Sequence, residues 1–282
     1  MKLLRYGPKG HEKPGMLDAE GRIRDLSAHT ADFAGAAVSN AALAKLRAID
    51  PASLPLVEGQ PRIGSCLASV PNFFCIGLNY TEHAHESNLP IPAEPILFNK
   101  TTSSLSGPFD DVVIPRDSVK TDWEVELGVV IGDWVEHVSE AEALSKVAGY
   151  CVINDVSERA FQIERGGQWT KGKSAPTFGP TGPWLVTADE IAEPQALPLW
   201  LEVNGERVQN HTTGDMIFGV AHIVSYMSRF MALQPGDIIA TGTPQGVGMG
   251  MKPQRFLKPG DVMRLGIEGL GVQQQTARAY GA

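Results

Sequence analysis

Along most of this chain, apolar and polar positions alternate with the two-residue period of strands, and few stretches follow the helical period. Leu3-Leu4-Arg5-Tyr6 and the run from Gly15 to Leu26, broken at Asp18-Ala19-Glu20-Gly21, read as short strands around a turn. Ala41 to Ile49 reads as a helix, and Pro51, Pro55, Pro61 and Pro71 then space a connector. Residues 1–70 therefore read as a small α+β unit ahead of a larger one, 71–282. In the larger unit Leu199–Val203, Asn204-Gly205 and Glu206–Gln209 form a hairpin signal, because Asn-Gly tolerates the positive φ angles of a tight turn. Val220, Ile223, Val224, Met227 and Met231 recur at helical spacing and predict a helix over 219–231 with one buried face. Two echoing segments, Leu233–Gly242 and Leu257–Gly266, each set a Pro-Gly-Asp turn before a strand. Helices do not alternate regularly with strands, which argues against a doubly wound parallel sheet. The expected class is α+β, a mixed, strand-dominated core that is curled or barrel-like.

One strand carries more than a fold signal. In Asp122–Ile131, Glu124 and Glu126 lie two apart and so share a face, while Val125 and Leu127 face a core. Asp155 ends another apolar run, Gly149–Asp155. Like charges held that close repel, and desolvation makes the repulsion worse unless a cation sits between them. Three carboxylates without a neighbouring Cys or His ligand suit a hard cation, Mg²⁺ or Mn²⁺, with positions left for water and substrate oxygens. The plain alternative is a solvated edge strand with two surface glutamates, and spacing alone leaves both readings open.

Charge and composition narrow the function classes. Lys plus Arg number 24 against 32 for Asp plus Glu, a formal charge of −8, and no basic stripe offsets it. That opposes nucleic-acid binding. Cys66, Cys75 and Cys151 form no CxxC pair and fit buried free thiols in a reducing compartment. Met1–Pro8 is basic but lacks the apolar stretch of a leader, and no apolar run is long enough to span a bilayer. The expectation is a cytoplasmic protein that binds neither membrane nor nucleic acid.

Read together, several motifs carry a family resemblance. Ile76-Gly-Leu-Asn-Tyr80 with His83 and Glu86, Glu94–Lys100, Trp123–Gly128, Asn154-Asp155, Gly172-Lys173-Ser174 and Gly236–Pro244 resemble, in order and spacing, the fumarylacetoacetate hydrolase family. The resemblance covers roughly residues 70 to 282. It implies a β-roll core, a Mg²⁺ or Mn²⁺ site with Glu124, Glu126 and Asp155 as ligands, and a homodimer. The opening Leu3–Gly7 is similar to a bacterial branch that includes hydrolases of 2,4-diketo-3-deoxy sugar acids and proteins labelled ureidoglycolate lyase. Two positions depart from the family pattern. Ala160 stands where Asp is common, and Ala175-Pro176 stands where an aromatic and an Asp are common. Both fall near the expected substrate pocket, so they bear on substrate identity.

The same resemblance assigns roles. His83 and Glu86 are three apart and face one side of a helical turn. In the family reading, Tyr80–Asn88 is a lid and His83–Glu86 the general base for water; His85 competes from the same segment. Lys173 is the candidate for stabilising an oxyanion or substrate carboxylate. Arg159 and Gln162, one helical turn apart, reach the bound ligand, unless Arg159 merely pairs with Glu158 or Glu164. Lys100 is placed on the substrate, with a structural pairing to a carboxylate as its alternative. The Gly-rich loop Thr241–Gly250 matches neither a Walker A loop nor a dinucleotide fingerprint. It reads as a backbone wall around a small anion, with Thr243 donating to a substrate carboxylate.

The expected activity is metal-dependent hydrolysis of the C3–C4 bond of a 2,4-diketo acid. The expected substrate is a small 2-keto acid such as diketo-deoxyrhamnonate or diketo-deoxyfuconate, cleaved to pyruvate and a hydroxy acid. Acylpyruvate hydrolysis, oxaloacetate decarboxylation and ureidoglycolate cleavage use the same metal site and stay open. So does a catalytically silent metal- and ligand-binding module.

Overall fold

The computed structural model describes residues 1–281 and gathers the strand-forming runs into two large sheets and a two-stranded ladder. The ten-stranded sheet runs in space through Ile23–Asp25, Lys13–Leu17, Lys2–Tyr6, Gly179–Thr187, Val147–Asn154, Val125–Ile131, Ile238–Ala240, Phe73–Gly77 and Ile96–Lys100, with Leu105–Ser106 attached to Gly179–Thr187. Ile238–Ala240 pairs antiparallel with Val125–Ile131 and parallel with Phe73–Gly77, so the sheet is mixed. The five-stranded sheet runs Glu206–Thr212, Pro198–Val203, Val262–Ile267, Gly271–Ala279 and Val112–Ile114. This is the strand-dominated α+β architecture that the alternation predicts.

The strand Val125–Ile131 divides two cores. Val125, Leu127, Val129 and Ile131 pack with Leu201 and Leu265 of the five-stranded sheet and with Val224 and Met227. Val130 belongs to the other core, with Cys151, Ile153, Leu3, Met16 and Phe33. The first seventy residues are thus joined to the rest by more than a connector. Lys2–Tyr6 pairs with Gly179–Thr187, and Arg62 bridges Glu12 at 2.7 Å and Asp110 at 2.5 Å.

Local chemistry explains the turns. Asn204 (φ 54°) and Gly205 (φ 81°) join Pro198–Val203 to Glu206–Thr212, as a primed turn requires. In both Pro-Gly-Asp segments the aspartate closes its own turn: Gln234 N–H donates to Asp237 at 2.9 Å, and Lys258 N–H donates to Asp261 at 2.8 Å. The N-terminal helix is Asn40–Arg47, capped by the Ser39 hydroxyl, which accepts from Ala42 N–H at 3.2 Å. The helix expected over 219–231 spans Val220–Met227, shorter than the periodicity predicts. Leu233 exchanges backbone hydrogen bonds with Val135 at 2.9 and 3.0 Å, and this draws the chain out of helix while Met231 still reaches the core edge. All three cysteines are buried free thiols. Among the described residues no helix is long and apolar enough to cross a membrane.

Candidate active site

Ladder register brings the three acids together. Val125–Ile131 and Val147–Asn154 are antiparallel neighbours, with Glu126 opposite Ile153 and Val125 opposite Asn154. The next residues outward are Glu124 and Asp155, and Asp155 N–H donates to the Glu124 carbonyl at 2.9 Å. One carboxylate oxygen from each of Glu124, Glu126 and Asp155 lies within 4.8 Å of the others. Glu126 lies on the central strand Val125–Ile131 and Glu124 directly precedes it; at 2% and 3% exposed they remove the solvated-edge alternative.

Charge is compensated unevenly. Arg159 donates to Asp122 at 2.8 Å and to Glu124 at 2.6 Å. Lys173 donates to Glu124 at 2.5 Å and to Asp155 at 2.6 Å, and Lys100 donates to Asp155 at 2.5 Å. Four buried carboxylates therefore face three cations, and Glu126 is the one without a cationic partner. It accepts a single backbone hydrogen bond, from Gly242 at 2.8 Å. Burial raises the Glu126 carboxyl well above the usual carboxylate range, and Asp155 and Glu124 raise it further. Burial also works against ionised Glu124, but Arg159 and Lys173 more than reverse it and hold that group far below the usual range. A divalent ion fits this donor set: it would supply the missing positive charge beside Glu126 with the all-oxygen ligands that Mg²⁺ and Mn²⁺ prefer.

The dyad sits on the short helix Thr81–Glu86. His83 is buried, and its Nδ1 meets Glu86 Oε1 at 2.8 Å. Glu86 is fixed from behind by Gly246 N–H at 3.0 Å, and a Cβ on Gly250 would lie 2.4 Å from its carboxylate. His85 points elsewhere: its side chain is 56% exposed and pairs with Glu82. With Nδ1 engaged, His83 keeps Nε2 for the cavity. That cavity, about 290 Å³, is lined by His83, Glu124, Glu126 and Lys173 on one side and by Phe98 and Trp169 among its apolar walls. Gly77 makes room for Trp169, since a Cβ there would lie 2.4 Å from the indole.

The family is decided by comparison with known proteins. A family model, the fumarylacetoacetate (FAA) hydrolase C-terminal domain, matches residues 72–278. The chain belongs to the fumarylacetoacetate hydrolase family. A Burkholderia ambifaria (strain MC40-6) relative is 64% identical over 279 residues, 99% of each chain, and carries a general hydrolase name without a substrate. The fumarylacetoacetate hydrolase of the psychrophile Exiguobacterium antarcticum is similar in structure, with TM-score 0.87, 34% identity and 99% of each chain covered. A maleylpyruvate hydrolase from Sphingobium sp. SYK-6, solved with manganese(II) and pyruvate, has TM-score 0.81 at 27% identity over 99% of each chain.

Within this fumarylacetoacetate hydrolase family member, several residues sit differently from their sequence assignments. Lys100 is fully buried behind Asp155, donates also to Val156 O at 3.2 Å, and does not line the cavity; its role is the structural pairing, not substrate contact. Arg159 pairs with neither Glu158 nor Glu164. It lines the cavity and holds Glu124, with Gln162 accepting from it at 3.1 Å. Thr243 lines the cavity, but its hydroxyl donates to Val125 O at 2.9 Å and accepts from Gln209 at 2.9 Å, so its proton is committed to the protein. The loop Thr241–Gly250 does surround anions, but they are the protein's own: its amides serve Glu126, Glu86 and, through Gly248 and Met249, Asp122. Asp122 is the residue that motif reading passed over, although its spacing from Glu124 and Glu126 puts it on their face. Ala160 and Ala175-Pro176 lie off the cavity wall, and so do not set its shape directly.

Proposed function

We propose that this protein is a divalent-cation-dependent hydrolase that cleaves the C3–C4 bond of a 2,4-diketo acid to pyruvate and a second acid. The reading rests on one observation: buried His83, held by Glu86, lines the same cavity as Glu124 and Glu126, which cluster with Asp155. When bound by that triad, Mg²⁺ or Mn²⁺ supplies a Lewis acid for the oxygens of a 2-keto acid. His83 Nε2 takes a proton from water as that water adds to the C4 carbonyl, and Glu86 stabilises the resulting imidazolium. Lys173, two of whose three N–H groups are held by Glu124 and Asp155, directs its third at the developing oxyanion. As the C3–C4 bond breaks, the proton held at His83 returns to C3, which becomes the methyl group of pyruvate. Arg159 positions Glu124, and Gln162 offers its amide N–H to the substrate.

The favoured substrate is a 2,4-diketo-3-deoxy sugar acid of the rhamnonate or fuconate type, supported by the N-terminal resemblance and by room for a short acyl end. A homodimer is part of the same proposal, checked by sedimentation. The deciding experiment is a cation-dependent pyruvate-release assay across diketo acids and oxaloacetate, run in H₂¹⁸O. Hydrolysis places the label in the carboxylate of the non-pyruvate product. Fast oxaloacetate decarboxylation with no label from any diketo acid would refute the reading in favour of a decarboxylase.

A further inference from the structure

We infer that Asn79 is a positioning residue for the cation site: its side-chain amide holds the Thr241–Gly242 peptide so that the Gly242 N–H faces Glu126. This rests on the cation-site half of the reading above, not on the reaction. Asn79 stands between the strand Phe73–Gly77 and the helix that carries His83. It is fully buried and does not line the cavity, so it acts through other groups.

Its partners show which groups those are. Asn79 Nδ2 donates to Thr241 O at 2.8 Å and to Phe218 O at 3.0 Å, and Oδ1 accepts from Phe218 N–H at 2.8 Å. Two carbonyls on one side and an N–H on the other fix the direction of the amide, since reversal would set oxygen against two oxygens. Ile217 N–H also donates to Asn79 O at 2.8 Å. The Ile217–Phe218 segment therefore grips both main chain and side chain, and Thr241 O is what Asn79 reaches beyond it.

Thr241 O and Gly242 N–H are the two ends of one planar peptide. The N–H end donates to Glu126 at 2.8 Å, the single hydrogen bond that this carboxylate accepts among the described residues. By fixing the oxygen end, Asn79 orients the plane, polarises it and strengthens its N–H as a donor. Thr241 is held on its other side, where its N–H and hydroxyl donate to Leu127 O at 3.1 and 3.0 Å. Without Asn79, Thr241 O is a buried acceptor that must turn to find a donor. Gly242, at φ 96°, allows that rotation because it has no Cβ to resist it. The plane turns as a unit and the N–H leaves Glu126. A ligand carboxylate that loses the group orienting it binds a divalent ion more weakly.

Calorimetry with Mn²⁺ tests this without turnover. Asn79→Ala should bind Mn²⁺ about 10- to 100-fold more weakly than wild type, the usual cost of removing a group that holds a metal ligand. Gly242→Ala should show the same loss, since its Cβ would lie 2.7 Å from Asn79 Cβ and part the two; it decides the matter if Asn79→Ala does not fold. Gln195→Ala is the control for general loosening. Gln195 grips the chain on either side of Ile217–Phe218, donating to Thr213 O at 2.9 Å and accepting from Val220 N–H at 2.7 Å, away from the cavity. It should keep the wild-type Kd. A wild-type Kd in folded Asn79→Ala, or an equal loss in Gln195→Ala, overturns the inference and leaves the hydrolase reading standing. A wild-type protein that binds no Mn²⁺ overturns both. In the pyruvate-release assay, half-maximal activation of Asn79→Ala should need more Mn²⁺ by the same factor, with kcat recovered at saturation. A residue that only held the fold would lower kcat at every Mn²⁺ concentration.

Discussion

Replacing Glu126 with Gln should stabilise the cation-free protein and at the same time abolish its response to divalent ions. Glu126 is buried within 4.8 Å of two other carboxylates and has no cationic partner. Unit charges at that separation repel by about 3 kcal/mol at an effective dielectric of ~20. Lys100, Lys173 and Arg159 already offset part of the charge on the neighbours, so relief of roughly 1–2 kcal/mol remains for the neutral amide. The amide oxygen can still accept from Gly242 N–H. At roughly 2–4 °C per kcal/mol for a chain of this size, the chelated variant should melt a few degrees above wild type. Wild type should then gain about 2.7 kcal/mol from Mg²⁺ or Mn²⁺ at a hundredfold excess over Kd, and the variant close to nothing. The pH dependence has a definite sign. Glu126 in the folded, cation-free protein titrates above its unfolded value, so its contribution to stability is complete below the unfolded pKa and is lost as pH rises through the folded one. Gln does not titrate, so the variant's advantage should be small near pH 5 and grow towards pH 8. Thermal unfolding in chelator and in excess cation, across that range, reads all three effects. A chelated variant less stable than wild type, or one that keeps the full cation-induced shift, would refute the assignment of Glu126 as the uncompensated ligand.

Other outcomes follow from the same geometry. His83→Ala or Glu86→Gln should lower turnover by roughly 10²–10⁴-fold, with oxalate binding to the cation-loaded protein much less affected; His85→Ala should be nearly silent, and the reverse pattern in steady-state kinetics would move the dyad to His85. Gly246→Ala should mimic loss of Glu86, because Gly246 sits at φ 100° and its Cβ would lie 2.0 Å from Val208 O, displacing the N–H that holds the carboxylate; a variant with full kcat and an unshifted pH profile would refute that link. Asp110→Asn should cost about 1–3 kcal/mol at pH 7. Burial opposes ionisation of Asp110, but Arg62 outweighs it and lowers the carboxyl below its usual value. That stabilisation is present above the unfolded pKa and fades as pH falls through the folded one, so denaturant titrations should show the difference from wild type shrinking once pH falls below the ordinary aspartate value of about 3.9. A difference constant with pH would exclude the ion pair as its source.

The sequence by itself determined the class of the fold and the identity of the acids. Period-two alternation predicts a strand over Asp122–Ile131; the sheet holds Val125–Ile131 of it, while Asp122 pairs separately with Ser157, and Glu124 and Glu126 both line the cavity as the alternation predicts. Asn204-Gly205 and the two Pro-Gly-Asp segments are turns for equally local reasons, the positive φ of Gly205, Gly236 and Gly260 among them. The family motifs pointed to Asp155, His83, Glu86 and Lys173 as candidate site residues before any contact was visible. Where a helix stops was less legible: Val220–Met227 ends early because Leu233 bonds to Val135, nearly a hundred residues away in sequence.

What each polar atom is already bonded to was decided only by the tertiary structure. Lys100 and Arg159 were legible as cations near the site. That Lys100 stands behind Asp155, and that Arg159 ties Asp122 to Glu124, depends on packing between strands and helices far apart in the chain. Thr243 and the Gly-rich loop show the same limit. A hydroxyl or an amide in a loop looks free in sequence, but burial obliges it to find a partner, and here the partners were Val125 O, Glu126, Glu86 and Asp122. Glu126 without a cationic partner is defined by subtraction, by matching each neighbouring carboxylate to the cations around it, and that matching exists only in three dimensions.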